Sequence, residues 1–112
     1  MDKPTHFRHI AGHLADLYEK KNAAYGDSFG KTYRQLGIIS ALTRMSDKMN
    51  RLVNLATNKS VDNIGESIDD TLRDLACYAI MTLMERDEVF TAEEMEEHLY
   101  RKFHNEVLEL PE

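Results

Sequence analysis

The chain has 112 residues, enough for one domain with a single modest core and too few for two. It is 42% hydrophobic and 30% charged, has only two Pro and five Gly, and carries a net charge of -6. That composition describes a globular protein of helical bias, and the acidic balance excludes a nucleic-acid surface built on a broad basic face. A single cysteine, Cys77, excludes an intramolecular disulfide and fits a reducing cytoplasm. No stretch approaches the ~20 apolar residues of a membrane span, and the first residues lack signal-peptide character, so a cytoplasmic location without membrane contact is expected.

Pro4 and Thr5 suit a helix start, and Phe7, Ile10, Leu14, Leu17 and Tyr18 follow at three- and four-residue spacing. This predicts a first helix ending before Gly26. Tyr25-Gly-Asp-Ser-Phe-Gly30 reads as a loop. From about Thr32 a second helix is expected to run to Asn58, with Ile38, Leu42, Met45, Met49, Leu52, Val53 and Ala56 on one stripe.

After a polar connection, a third helix is expected from about Gly65 to Arg86, apolar on all sides over its second half and therefore central. Thr91-Ala-Glu-Glu94 reads as a capping box opening a peripheral fourth helix over 91–105. With no strand alternation and no linker, residues 1–112 read as one all-α domain, about a four-helix bundle, with oligomerisation as a supplement to its small core.

The segment Glu66-Ser-Ile-Asp-Asp-Thr-Leu-Arg-Asp74 carries the chemistry most worth explaining. Glu66, Asp70 and Asp74 fall within one ~80° stripe that continues through Cys77 and Met81 into the apolar run. Acids leading into a core need their charge compensated, and a divalent cation held by oxygen ligands is one solution. Complementing the helix dipole accounts for Glu66 and Asp69 but poorly for Asp74, two turns in.

The expected second helix adds Arg44, Asp47, Lys48 and Arg51. They are either exposed helical ion pairs or, facing another helix, the surround of a metal-bound triphosphate. Lys21, Asn22 and Tyr25 flank a glycine turn that either stacks a base and contacts phosphates or packs its rings on the core. Cys77 reads as a small core residue. His6, His9 and His13 read as a surface cluster rather than a metal site. No motif for covalent catalysis is present, which leaves metal-assisted hydrolysis as the chemistry to consider.

Lys21-Asn-Ala-Ala-Tyr-Gly26, Arg44-Met-Ser-Asp-Lys-Met-Asn-Arg51 and Glu66 to Tyr78 resemble the phage- and bacteria-associated nucleotide-modification domain, over about residues 15–86. That domain is grouped with the all-α nucleoside-triphosphate pyrophosphohydrolases of MazG and dimeric-dUTPase type. The superfamily pairs Glu-x-x-Glu on one helix with Glu-x-x-Asp on another. Here Thr71 stands where the second motif has its Glu, and helix two supplies at most Asp47.

The resemblance implies a MazG-like homo-oligomer that binds a nucleoside triphosphate through Mg²⁺, with Mn²⁺ as a substitute, and cleaves it to monophosphate and pyrophosphate. It assigns Asp47, Glu66, Asp70 and Asp74 to metal, Glu66 and Asp70 also to catalysis, and Lys21, Asn22, Tyr25, Arg44, Lys48 and Arg51 to substrate. Two alternatives stand beside it: a non-catalytic nucleotide-binding or regulatory module of the same fold, and a structural helical interaction protein.

Overall fold

The computed structural model describes residues 1–58 and 67–87, and the described residues are all helical apart from short connections. The expected helix over 91–105, its capping box and Glu66 lie outside them. Helix α1 spans Lys3–Tyr25, α2 Ser28–Leu36 and α3 Ile38–Thr57; residues 67–87 form α4. The chain divides into two compact units, Met1–Thr82 and Leu83–Glu112. All that follows concerns the first unit. No helix among the described residues is long and apolar enough to cross a membrane.

Each helix end has a local cause. Asp2 caps α1, its side-chain oxygen accepting the Thr5 N–H at 2.8 Å, with Pro4 in the first turn where a missing N–H costs nothing. Gly26, at φ 69° and ψ -167°, ends α1 by donating its N–H to the Asn22 carbonyl at 2.8 Å. Asp27 then caps α2, accepting the Gly30 N–H at 3.1 Å. Gly37, at φ 76° and ψ -166°, ends α2 and begins α3 in a single residue, its N–H reaching the Tyr33 carbonyl at 2.6 Å.

Two sequence expectations are corrected here. Ser28, Phe29 and Gly30, expected in a loop, open α2, because Asp27 satisfies the first-turn donors that a loop would leave to water. The helix expected from Thr32 to Asn58 is broken at Gly37. The backbone there lies in a region essentially reserved for glycine, and the apolar spacing across the break conceals it.

Among the described residues the buried apolar side chains are few: Leu14 from α1, Phe29 and Tyr33 from α2, Ala41 and Leu55 from α3. The expectation that the apolar half of the Asp74 helix would be central is not met. Leu75, Ala76, Cys77 and Tyr78 are half-buried, and Leu72 and Ile80 are exposed. On α3, Ile39, Leu42, Met49 and Val53 are likewise exposed and fall on one side of the helix. The stripe seen in the sequence is therefore real as a pattern, but its outer edge has no cover from the described residues of this unit.

Neither Gly26 nor Gly37 has a heavy atom within 4 Å of where a Cβ would stand, so any cost of a side chain there is backbone conformation alone. Gly37→Ala should lower stability by about 1–3 kcal/mol, read as a lower urea midpoint with an unchanged slope. Gly12→Ala, at an open helical position, should raise it by up to about 1 kcal/mol.

Candidate functional site

Four helices contribute to one corner of the first unit, and its centre is Asp74. One carboxylate oxygen meets the Lys48 ammonium of α3 at 3.0 Å, and the other meets the Lys21 ammonium of α1 at 3.4 Å. The Lys48 contact is the tighter of the two, with both side chains under a third exposed; Lys21 is 53% exposed. Burial pushes the Asp74 carboxyl up, but the hydrogen bond and charge of Lys48 and the charge of Lys21 outweigh it and hold the group below the ordinary carboxyl value.

Beside this bridge lies an aromatic stack. Phe29 of α2, 5% exposed, lies against Tyr78 of α4 with ring centroids 5.7 Å apart and planes 15° off parallel. The Arg44 guanidinium of α3 sits over the other partner of this stack, 5.3 Å from the Phe29 centroid, and reaches the Thr32 hydroxyl at 3.5 Å. Desolvated cation–π contacts of this kind fix a guanidinium in place while leaving its edge able to donate. One turn before Asp74, Thr71 is buried at 3% exposure; its hydroxyl donates to the Ser67 carbonyl at 2.7 Å and accepts from Arg51 Nε at 3.2 Å.

A cleft of about 230 Å³ opens between these groups, lined by Lys21, Asn22 and Tyr25 on one side and Arg44, Asp74 and Tyr78 on the other. Tyr25 is 78% exposed at its rim. Of the two loop rings read in the sequence, then, one packs and one stays free. A shallower groove sharing Arg44 and Tyr78 is lined by Asp47, Lys48 and Arg51. The mixed cluster of α3 thus faces two neighbouring helices: Arg44 turns to α2, and Lys48 and Arg51 turn to α4.

The expected residues therefore separate into groups. Lys21, Asn22, Tyr25, Arg44 and Asp74 share the cleft, and Asp47, Lys48 and Arg51 join Arg44 in the groove. Asp70 is turned away, 66% exposed and paired with Arg73 at 3.0 Å. Glu66 lies outside the described residues. Phe29, Thr71 and Tyr78 join the site without having been expected there from the sequence. Their signal in the sequence was present but ambiguous, a loop aromatic, a departure from a motif, and an aromatic in an apolar run.

A divalent cation needs several oxygen ligands on one point. Both Asp74 oxygens face ammonium groups, Asp70 faces Arg73, and among the described residues no three His, Cys, Asp or Glu side chains are placed to hold a metal ion. The described residues do not fit Mg²⁺ in this arrangement. The His9 and His13 rings lie 4.8 Å apart and tilted by 38° on the exposed side of α1, in a separate groove with Asp69 and Arg73. Cys77 lines the cleft, its thiol pushed up chiefly by burial, so that less of it is present as the reactive thiolate.

The lowered Asp74 pKa has a definite consequence with pH. The folded state binds this proton less readily than the unfolded chain, so the bridge contributes fully above about pH 5, and its contribution is lost as pH falls through the carboxyl range. Urea unfolding between about pH 3 and 6 should show stability rising with pH. Asp74→Asn should flatten that rise, and an unchanged profile would show that the bridge contributes nothing.

A family model described as nucleotide modification associated domain 1 matches residues 21–85, which include every site residue named above. No curated protein and no solved structure matches the chain. Because the match spans more than half of the 112 residues, the chain belongs to the nucleotide modification associated domain 1 family.

Proposed function

We propose that this protein binds a phosphorylated nucleotide, with the base against Tyr25 and the phosphates toward Lys21, Lys48, Arg51 and Arg44. The observation that carries this reading is the concentration of cations beside open aromatic surface. Around the cleft and groove the four cations Lys21, Arg44, Lys48 and Arg51 outnumber the three acids Asp27, Asp47 and Asp74, of which Asp27 is already paired with Arg34 at 3.3 Å, in a chain whose net charge is -6. A local positive excess within an acidic protein selects a small anion over a polyanion such as DNA. The cleft, at about 230 Å³, is below the range of about 300–1,000 Å³ typical of whole small-molecule sites. It suits one part of a nucleotide, with the remainder along the adjoining groove.

Hydrolysis is the second reading, in the MazG-like manner that the sequence resemblance implies: Mg²⁺- or Mn²⁺-dependent release of pyrophosphate from a (deoxy)nucleoside triphosphate. It is favoured by the placement of Asp74, an acid assigned to metal by that resemblance, in the same cleft as Lys21 and Arg44. Against it stands the ligand set of the described residues, which leaves the binding module the better supported of the two. A cytoplasmic, phage-associated homo-oligomer belongs to the same reading. The exposed row Ile39, Leu42, Met49 and Val53 supports self-association, since contiguous apolar helix faces are seldom left to water.

Calorimetric titration with a panel of nucleoside mono- and triphosphates, with and without Mg²⁺, tests binding. Lys48→Ala should weaken the best ligand by about tenfold or more, as loss of a hydrogen bond to a charged group does. Bound nucleotide should also slow alkylation of Cys77, the only thiol in the chain and a wall of the cleft. An unprotected thiol with a saturating ligand would move the site elsewhere. Pyrophosphate release in the Mg²⁺ arm, abolished by Asp74→Asn, would establish the hydrolase reading instead.

A further inference from the structure

We propose that Lys21 and Lys48 form a metal-independent site for a phosphoryl oxyanion, and that the Asp74 carboxylate is the internal anion that occupies it between ligands. This deepens the nucleotide reading and rests on it only for what the phosphoryl group is attached to.

The geometry is that of an anion held by two cations. Two ammonium groups from different helices close on opposite oxygens of one carboxylate, at 3.0 and 3.4 Å. Arg44 lines the cleft beside Asp74 and the groove beside Lys48, and Arg51 lines that groove as well. A phosphoryl group brings three acceptor oxygens and up to two charges where the carboxylate brings two oxygens and one. It therefore competes for the same donors from a position of strength.

The contacts differ in how readily they open. Lys21 is half exposed and its contact is long, so exchanging its partner exposes little that was buried. Lys48, less exposed and closer, would stay as the fixed donor. Thr71 adds a further cation to this corner: its hydroxyl accepts from Arg51 Nε at 3.2 Å and so holds that guanidinium in the groove beside Lys48. The corner as a whole is arranged to receive an anion directly.

The experiment measures binding of inorganic phosphate, pyrophosphate and a panel of deoxynucleoside monophosphates in EDTA, for the unaltered protein and Asp74→Asn. Removing the competing charge should tighten pyrophosphate binding roughly tenfold, and adding Lys48→Gln to Asp74→Asn should cancel the gain. A variant that binds no tighter, or binding that appears only when Mg²⁺ is restored, overturns the proposal. Because Asp74→Asn also removes a link between helices, a second measurement uses the unaltered chain. Pyrophosphate in EDTA should slow reductive methylation of Lys21 and Lys48 relative to the exposed Lys20 and Lys31, and equal rates would overturn the site. If pyrophosphate binds and no nucleotide binds more tightly, the anion site stands and the nucleotide reading falls. If nucleotides bind only with Mg²⁺, that reading stands and this proposal falls.

Discussion

A single carboxylate ties together three helices. Asp74 meets Lys21 and Lys48, 53 and 26 residues away along the chain, and so relates α1 and α3 to α4 at one point. The apolar core that would ordinarily do this is thin, with no large side chain among the described residues fully withdrawn from solvent. Ion pairs near a surface generally contribute modestly to stability. Their importance is positional: two long, rotatable lysine side chains are gathered to one place, with the rotamer entropy already lost before any ligand arrives.

The aromatic stack does for Arg44 what Asp74 does for the lysines. With Phe29 buried beneath it and one long hydrogen bond to the Thr32 hydroxyl, the guanidinium is held by contacts that leave most of its hydrogen-bonding edge unused by them. Charge from α1 and α3 thus meets ring surface from α2 and α4 at one corner. This corner differs from an ordinary helical ion pair such as Asp70 with Arg73 in that its partners come from separate helices.

Local features of the chain were legible and long-range partners were not. The spacing of Phe7, Ile10, Leu14 and Leu17 and the turn at Gly26 marked α1 to within a residue or two of its observed ends. The break at Gly37 was hidden because Ile38 and Leu42 continue the apolar spacing that precedes them, and only a backbone dihedral distinguishes the two sides. The acidic stripe shows the same limit. Periodicity placed Asp70 and Asp74 on one side of a helix, but the ~40° between them is enough to give one an exposed arginine and the other two lysines from separate helices. A helical wheel carries angles and no partners. It showed that the charge of Asp74 needed an answer, and what answers it in the structure is a pair of ammonium groups.

The two glycine bends bear on which other sequences carry this corner. Gly26 and Gly37 adopt nearly the same conformation at either end of a nine-residue helix, and neither is crowded. The helix that delivers Phe29 is therefore aimed by two backbone settings rather than by the shapes of its neighbours. A search for the site in distant relatives would do better to ask for this spacing, two glycines separated by ten residues, than for any one acid. Side chains around α2 are free to drift while the pattern holds, whereas a single methyl group at either bend would redirect the ring on which the arginine rests.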